Sequence, residues 1–289
     1  MKRRLGDRSD GWRLRKVDPF FKIIPHIMKE RNDAQVFFSE NIDLEETLKF
    51  IREIRREGYK VGFLQVAIAT MVRVISQKPK INRFICGKKA YARNEIVVAL
   101  AVKKEMSEEA EETTITIKFD PDDTIYEVID KMNKAIDASK IVEEKNDTDK
   151  FVKVMSKVPG FIYGGVVGFL KFLDRRGLLP KFIRSLSPFH TSFFVTDLGS
   201  LGIKPVYHHL YNFGTTSIFI AFGTRRKQHE LNGDNTIDKR KSQDLKVVVD
   251  ERIVDGYYFS QAIKMATKIM ESPSVLREKP TQIIIDDEI

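Results

Sequence analysis

The spacing of hydrophobic and polar positions lays out the elements of this chain. Residues 34–41 (AQVFFSEN) read as a strand, and Asp43 then opens a helix with Glu46 placed to complete a capping arrangement. Leu44, Leu48, Ile51 and Ile54 recur at helical spacing as far as Gly58. In 62–77 the apolar residues, Phe63, Val66, Ile68, Met71, Val72 and Ile75 among them, leave little polar face, which predicts a buried helix stopped by Pro79. Residues 96–102 and 113–119 read as strands. The second alternates Thr114, Thr116 and Lys118 against Ile115, Ile117 and Phe119, so one face is expected wet and the other packed. The charged run 103–112 between them predicts a surface loop. Thr124 with Glu127 caps a third helix, whose inner stripe is Ile125, Val128, Ile129, Met132 and Ile136.

Residues 158–170 (VPGFIYGGVVGFL) break this rhythm with thirteen uncharged positions, fewer than the ~20 that span a bilayer. Gly164 and Gly168, four apart, permit close helix contact, so the expectation is a buried helical hairpin with 178–186 or a subunit contact. A second reading groups Lys171, Arg175, Arg176, Lys181 and Arg184 around the apolar faces as a membrane-surface patch. Further on, 193–199 and 217–223 read as strands. In KVVVDERIVDG (246–256), Val247 to Val249 form a buried strand, and Gly256 turns the chain into an amphipathic helix.

A length of 289 residues, 42% hydrophobic and 31% charged, fits one globular domain. The division expected is a basic N-terminal tail (1–20), a single domain (21–275) with a helical insertion at about 151–190, and a C-terminal tail (276–289). The formal charge of +9 is concentrated in 1–16, 225–227 and 239–241. These runs are read as solvated, and no nucleic-acid-binding motif accompanies them, so no specific nucleic-acid partner is expected. The start of the chain lacks the apolar core of a signal peptide, and a cytoplasmic location follows as the expectation. The single cysteine, Cys86, lies in an apolar context that favours a buried, inert thiol.

The Asp250-Glu251-Arg252-x-x-Asp255-Gly256 turn resembles the Asp-His-Arg-x-x-Asp-Gly signature of the dihydrolipoamide acyltransferase component of 2-oxoacid dehydrogenase complexes. Chloramphenicol acetyltransferase shares part of that signature. Phe193 to Gly199 is similar to the family's Phe-Thr-(Ile/Val)-Ser-Asn-Leu-Gly strand, and Ser217 to Gly223 to its following strand. The resemblance covers 191–271 well and 34–104 more thinly, and it leaves out the N-terminal tail and 158–186. It implies an α/β fold, a chloramphenicol acetyltransferase-like two-layer sandwich with a mixed sheet and helices packed on one face. It also implies a homotrimer or higher oligomer with acyl sites between subunits, coenzyme A or acyl-CoA as substrate, and no metal.

Carried over residue by residue, Thr196 takes the position of the hydroxyl that stabilises the oxyanion; its alternative is a strand-end threonine bonded to nearby backbone. Asp197 replaces the usual asparagine. Asp255 matches an aspartate that the resemblance places in a buried salt bridge, and it also stands where it would cap the following helix. Arg252 is its potential partner or a structural cation. Glu251 replaces the catalytic histidine. A carboxylate of pKa ~4.3 is about two units less basic than imidazole at ~6.5, so proton abstraction from an acceptor is poorer. His208 and His209 are candidate substitutes, and adjacent strand positions would point to opposite faces, so at most one of them would serve. Two readings stay open: a CoA-dependent acyltransferase acting through Glu251, or a non-catalytic scaffold or acyl-CoA sensor, a pseudoenzyme of the same fold.

Overall fold

The β-branched run Val247 to Val249 shows how the architecture arises. Val247 and Val249 project into a layer of helices, while Val248 projects from the opposite face of the same strand, as the two-residue period of a strand requires. In the computed structural model the described residues are 2–103, 112–141, 159–231 and 233–289. The stretch 104–111 within the expected surface loop lies outside them, as does 151–158 of the expected insertion.

The N-terminal half contains β1 (Gly11–Arg13), α1 (Pro19–Ile27), β2 (Gln35–Asp43), α2 (Glu45–Arg56), α3 (Phe63–Gln77), β3 (Arg83–Cys86) and β4 (Lys89–Arg93). There follow β5 (Ile96–Lys103), β6 (Glu112–Phe119), α4 (Ile125–Ile141), α5 (Gly160–Arg175) and α6 (Lys181–Leu186). The last third supplies β7 (Phe193–Asp197), β8 (Ile218–Leu231), β9 (Ile237–Asp250) and α7 (Gly256–Glu271). Six strands make one mixed sheet in the order β2-β9-β8-β7-β5-β6, and β1-β4-β3 make a small second sheet. β7 runs parallel to both β5 and β8, and the other neighbours are antiparallel.

The helices α2, α3, α4 and α7 cover one face of the large sheet. Ile54, Val66, Val72, Ile125, Val128, Ile129 and Met132 are fully buried there against Val98, Phe193 and Ile218. The expected inner stripe of α4 and the buried character of α3 are both present. Thr124 N–H donates to Glu127 Oε2 at 2.7 Å, the expected cap. The start of α2 differs: Asp43 Oδ1 accepts from Glu45 N–H, and Glu46 pairs with Lys49 instead of reaching back. The opposite face of the sheet carries Ala99, Phe194, Phe219 and Val248 and is covered by the irregular segment around Leu210.

Residues 2–6 are exposed, but the chain from Asp7 to Val17 is not a solvated tail. Arg8 and Asp10 are each 4% exposed, and β1 pairs with β4, because the acids within this basic run give its arginines internal partners. The C-terminal end is tied down too: Arg83 grips the buried Asp286, and Arg15 and Lys16 N–H donate to the Glu288 carbonyl.

The buried hairpin expected around 158–186 is also corrected. α5 and α6 form, but Phe169 is 61% and Phe182 71% exposed. A Cβ added at Gly164, Gly165 or Gly168 would meet nothing within 4 Å, so no second helix packs on that side within the described chain. Beyond the sheet, β8 and β9 continue as a two-stranded ribbon that sets Lys227 directly opposite Lys241 and His229 opposite Lys239. No helix of the described residues is long and apolar enough to cross a membrane.

Candidate functional site

β9 ends at Asp250, where Asp250 N–H donates to the Ser217 carbonyl and Glu251 N–H to the Ala34 carbonyl. These two bonds pin the turn between β8 and the chain entering β2. Asp250 is wholly buried and holds the turn together. Arg252 forks onto it, Nε to Oδ1 and Nη2 to Oδ2, both at 2.7 Å, and Arg31 Nε approaches Oδ2 at 3.3 Å. Arg252 also donates to the Met28 carbonyl, and Arg31 to the carbonyls of Tyr211, Gly214 and Ile85. Burial pulls the Arg31 guanidinium below its ordinary pKa, against the opposing attraction of Asp250. Arg252 therefore takes Asp250 as its partner, the nearer carboxylate in the turn.

Asp255 instead caps α7, accepting from Tyr258 N–H at 2.8 Å, and is exposed. The buried ion pair that the resemblance assigns to this position is made by Asp250, five residues earlier in the turn, because its strand-end backbone directs it inward. Glu251 is exposed too and makes no side-chain hydrogen bond or ion pair among the described residues. With Asp255 it sits on the rim of an apolar cavity of about 520 Å³, walled by Phe21, Ile24 and Met28 on the α1 side, by Phe38 and Val249 of the sheet and by Phe259 of α7.

Thr196 lies near the C-terminal end of β7, opposite Ala221, and is 7% exposed. Its neighbour Val195 faces the helices, so Thr196 faces the other way, with Phe194. Its hydroxyl has no hydrogen-bond partner among the described residues, so it does not play the backbone-bonding part of a strand-end threonine. Asp197 accepts from Gly199 N–H at 3.0 Å, and burial raises its carboxyl pKa. His208 stacks flat on Phe219, centroids 4.6 Å apart, and Phe219 in turn stacks on Phe194 at 4.7 Å. His209 is exposed and meets the Tyr211 ring edge-on.

Thr196 and His208 thus share the face of the sheet away from the helices, whereas Glu251 and Asp255 belong to a different end. Thr196 is opposite Ala221, Ala221 is opposite Lys246, and Glu251 is five residues further along β9. At ~3.3 Å per residue and ~4.8 Å per strand, Thr196 and Glu251 are about 19 Å apart in one chain. The structure does not bring them together within a protomer.

A buried cluster escaped the sequence reading. Arg8 contacts Asp10, Cys86 Sγ and both the carboxylate and the carbonyl of Asp174 on α5. His190 Nδ1 lies 2.8 Å from Ser187 Oγ, and its Nε2 is 3.4 Å from Asp174 Oδ2. Burial opposes ionisation of Asp174, but His190 and Arg8 outweigh it and hold the carboxyl well below the usual carboxylate range. Burial pushes the Cys86 thiol up to about 12, as its apolar context foretold. The signal for this cluster was present in Asp10, an acid set beside Arg8 inside a basic run, but nothing local names Asp174 as the distant partner of Arg8, or His190 as that of Asp174.

No family model matches the chain, and no curated protein matches it. Solved structures do. A probable dihydrolipoamide acetyltransferase from Listeria monocytogenes superposes with a TM-score of 0.57 over 89% of this chain and 93% of its own, at 13% identity. Chloramphenicol acetyltransferase gives 0.55 over 89% and 99%, at 10% identity. A dihydrolipoamide acetyltransferase from Azotobacter vinelandii, in which a serine, a histidine and an asparagine were investigated for their role in catalysis, gives 0.55 over 84% and 83%, at 11% identity. The expected architecture is therefore present: this chain has the mixed α/β fold of the dihydrolipoamide acetyltransferase cores and of chloramphenicol acetyltransferase.

Proposed function

We propose that this protein binds acyl-CoA and transfers the acyl group to a thiol or hydroxyl acceptor at a site completed between protomers of a homotrimer in the cytoplasm. The observation that carries the reading is Thr196, a buried threonine whose hydroxyl is uncommitted, at the position matching an oxyanion-stabilising hydroxyl. A second copy is needed because Glu251 and Asp255 lie at the other end of the sheet.

In this mechanism the acceptor oxygen or sulfur attacks the thioester carbonyl carbon while Glu251 takes its proton. Thr196 Oγ1 donates a hydrogen bond to the resulting oxyanion. The carbon–sulfur bond then breaks, and the CoA thiolate leaves and recovers the proton from Glu251. His208 stacks on Phe219, on the same face of the sheet as Thr196.

A second reading, a non-catalytic scaffold or acyl-CoA sensor, is favoured by one observation: Glu251 is exposed, with no side chain among the described residues bonded to it. Coenzyme A should raise the melting temperature of a transferase or a sensor, and no shift at saturating ligand would refute both of these and leave the scaffold. Glu251→His separates them. Acetyl transfer to a generic thiol should appear or rise in the folded variant if Thr196 and its surroundings form a working site, and an unchanged rate supports the scaffold. Light scattering should show three copies.

A further inference from the structure

Residues 160–186 present an apolar surface that the rest of the described chain leaves uncovered. Val167, Phe169 and Phe172 on α5, and Leu178, Phe182 and Leu186 in and before α6, are between 46% and 71% exposed. Scattered single apolar residues are ordinary on a protein surface, but six large ones within twenty residues of chain are not. Gly164, Gly165 and Gly168 add side-chain-free backbone to the same helix, each with open space where a Cβ would stand.

The unpaired charges within 160–186 are all positive. The sole acid among 160–186, Asp174, is buried against Arg8 and His190. Arg175 is paired with Glu30, and Arg184 lies against Asp10. Lys171, Arg176 and Lys181 have no acidic partner among the described residues. Arg176 folds its guanidinium over the exposed Phe172 ring, 5.1 Å from its centroid, the arrangement of a cation held at the edge of an apolar body.

We propose that α5 and α6 dock on an anionic phospholipid surface, the phenylalanines and leucines entering the headgroup boundary while Lys171, Arg176 and Lys181 meet the lipid phosphates and carboxylates. Apolar side chains bordered by unpaired cations are what such an interface rewards. A second copy of the chain is a poorer occupant. A two-fold contact through this face would gather both copies' unpaired cations into one interface to which the face itself brings no accessible acid, in a protein whose formal charge is already +9.

The test is co-sedimentation of the full chain with phosphatidylcholine vesicles, with and without phosphatidylserine. Binding is expected only to the anionic vesicles and should fall as salt rises. Lys171→Glu/Arg176→Glu/Lys181→Glu should weaken it by at least on the order of a hundredfold, at about fivefold for each cation removed. Phe169→Ser/Phe172→Ser/Phe182→Ser should abolish it with the melting temperature and oligomeric state unchanged. If the serine variant melts early, the charge variant decides, since none of its three side chains is paired with an acid. Failure of the intact protein to sediment with anionic vesicles would overturn the proposal, as would undiminished binding by the charge variant. A change of oligomeric state in the serine variant would overturn it equally, by showing the face to be a subunit contact.

Discussion

Asp250→Asn is the most exacting test of how the 250–256 turn is built. The substitution keeps the shape of the side chain and removes its charge, leaving two arginines, each 4% exposed, with no carboxylate between them. Three close contacts are affected: the 2.7 Å fork from Arg252 through Nε and Nη2, and the 3.3 Å approach of Arg31. Removing one partner of a buried ion pair costs about 3–5 kcal/mol, because the remaining charge stays desolvated and uncompensated. At roughly 2–4 °C per kcal/mol for a chain of this size class, the melting temperature should fall by on the order of 10 °C. Differential scanning calorimetry reads this directly. Adding Arg252→Met should recover part of the loss, since one cation fewer is left unpaired, and that coupling is a signature simple loss of packing would not give. A drop of less than about 2 °C in the single variant would refute the assignment of Asp250 as the charge that holds the turn.

Other outcomes follow from neighbouring features. The carboxyl of Asp174 is depressed in the folded state, so its stabilising contribution is present above the unfolded value of 3.8 and is lost as pH falls through the acid range. Asp174→Asn should flatten the dependence of stability on pH below about pH 4, as measured by urea melts at stepped pH. Cys86, with its thiol raised to about 12, should react with a disulfide reagent at neutral pH only as fast as the protein opens, and labelling at the rate of an exposed thiol would contradict its burial. Gly214 has φ +85°, and a Cβ there would stand 2.1 Å from the Phe189 carbonyl oxygen. Gly214→Ala should cost at least roughly 1–3 kcal/mol, and a neutral effect in a urea melt would mean the loop is held less tightly than described.

The parts of the fold that were legible in the sequence are those where local pattern and burial coincide. The strand at Val247 to Val249 and the stripe Ile125, Val128, Ile129, Met132 announce their periods and are buried accordingly. The α5 segment was misplaced because an uncharged helix looks the same in sequence whether it is covered or bare. Its exposure depends on which other elements reach it. The partner of Arg252 was left open for a related reason: Asp250 and Asp255 are both close in the chain, and only the end of β9 decides which carboxylate turns inward. Arg8, Asp174 and His190 meet across more than 160 residues, a distance over which residue spacing carries no signal. Thr196, by contrast, was singled out by the resemblance of its strand to the family's, but the absence of a partner for its hydroxyl among the described residues is a three-dimensional fact.

The ribbon formed by the distal halves of β8 and β9 has open hydrogen-bonding edges, because β2 reaches only as far as Ser242 and β7 only as far as Phe222. Such edges invite an unrelated strand to add on and begin an aggregate. Here any newcomer would have to align beside Lys227, Lys239, Arg240 and Lys241, and two of those lysines already repel one another across the ladder. The positive charge that reads in sequence as a pair of basic runs thus stands in the folded protein along an open β-edge, where like-charge repulsion opposes the addition of a further strand.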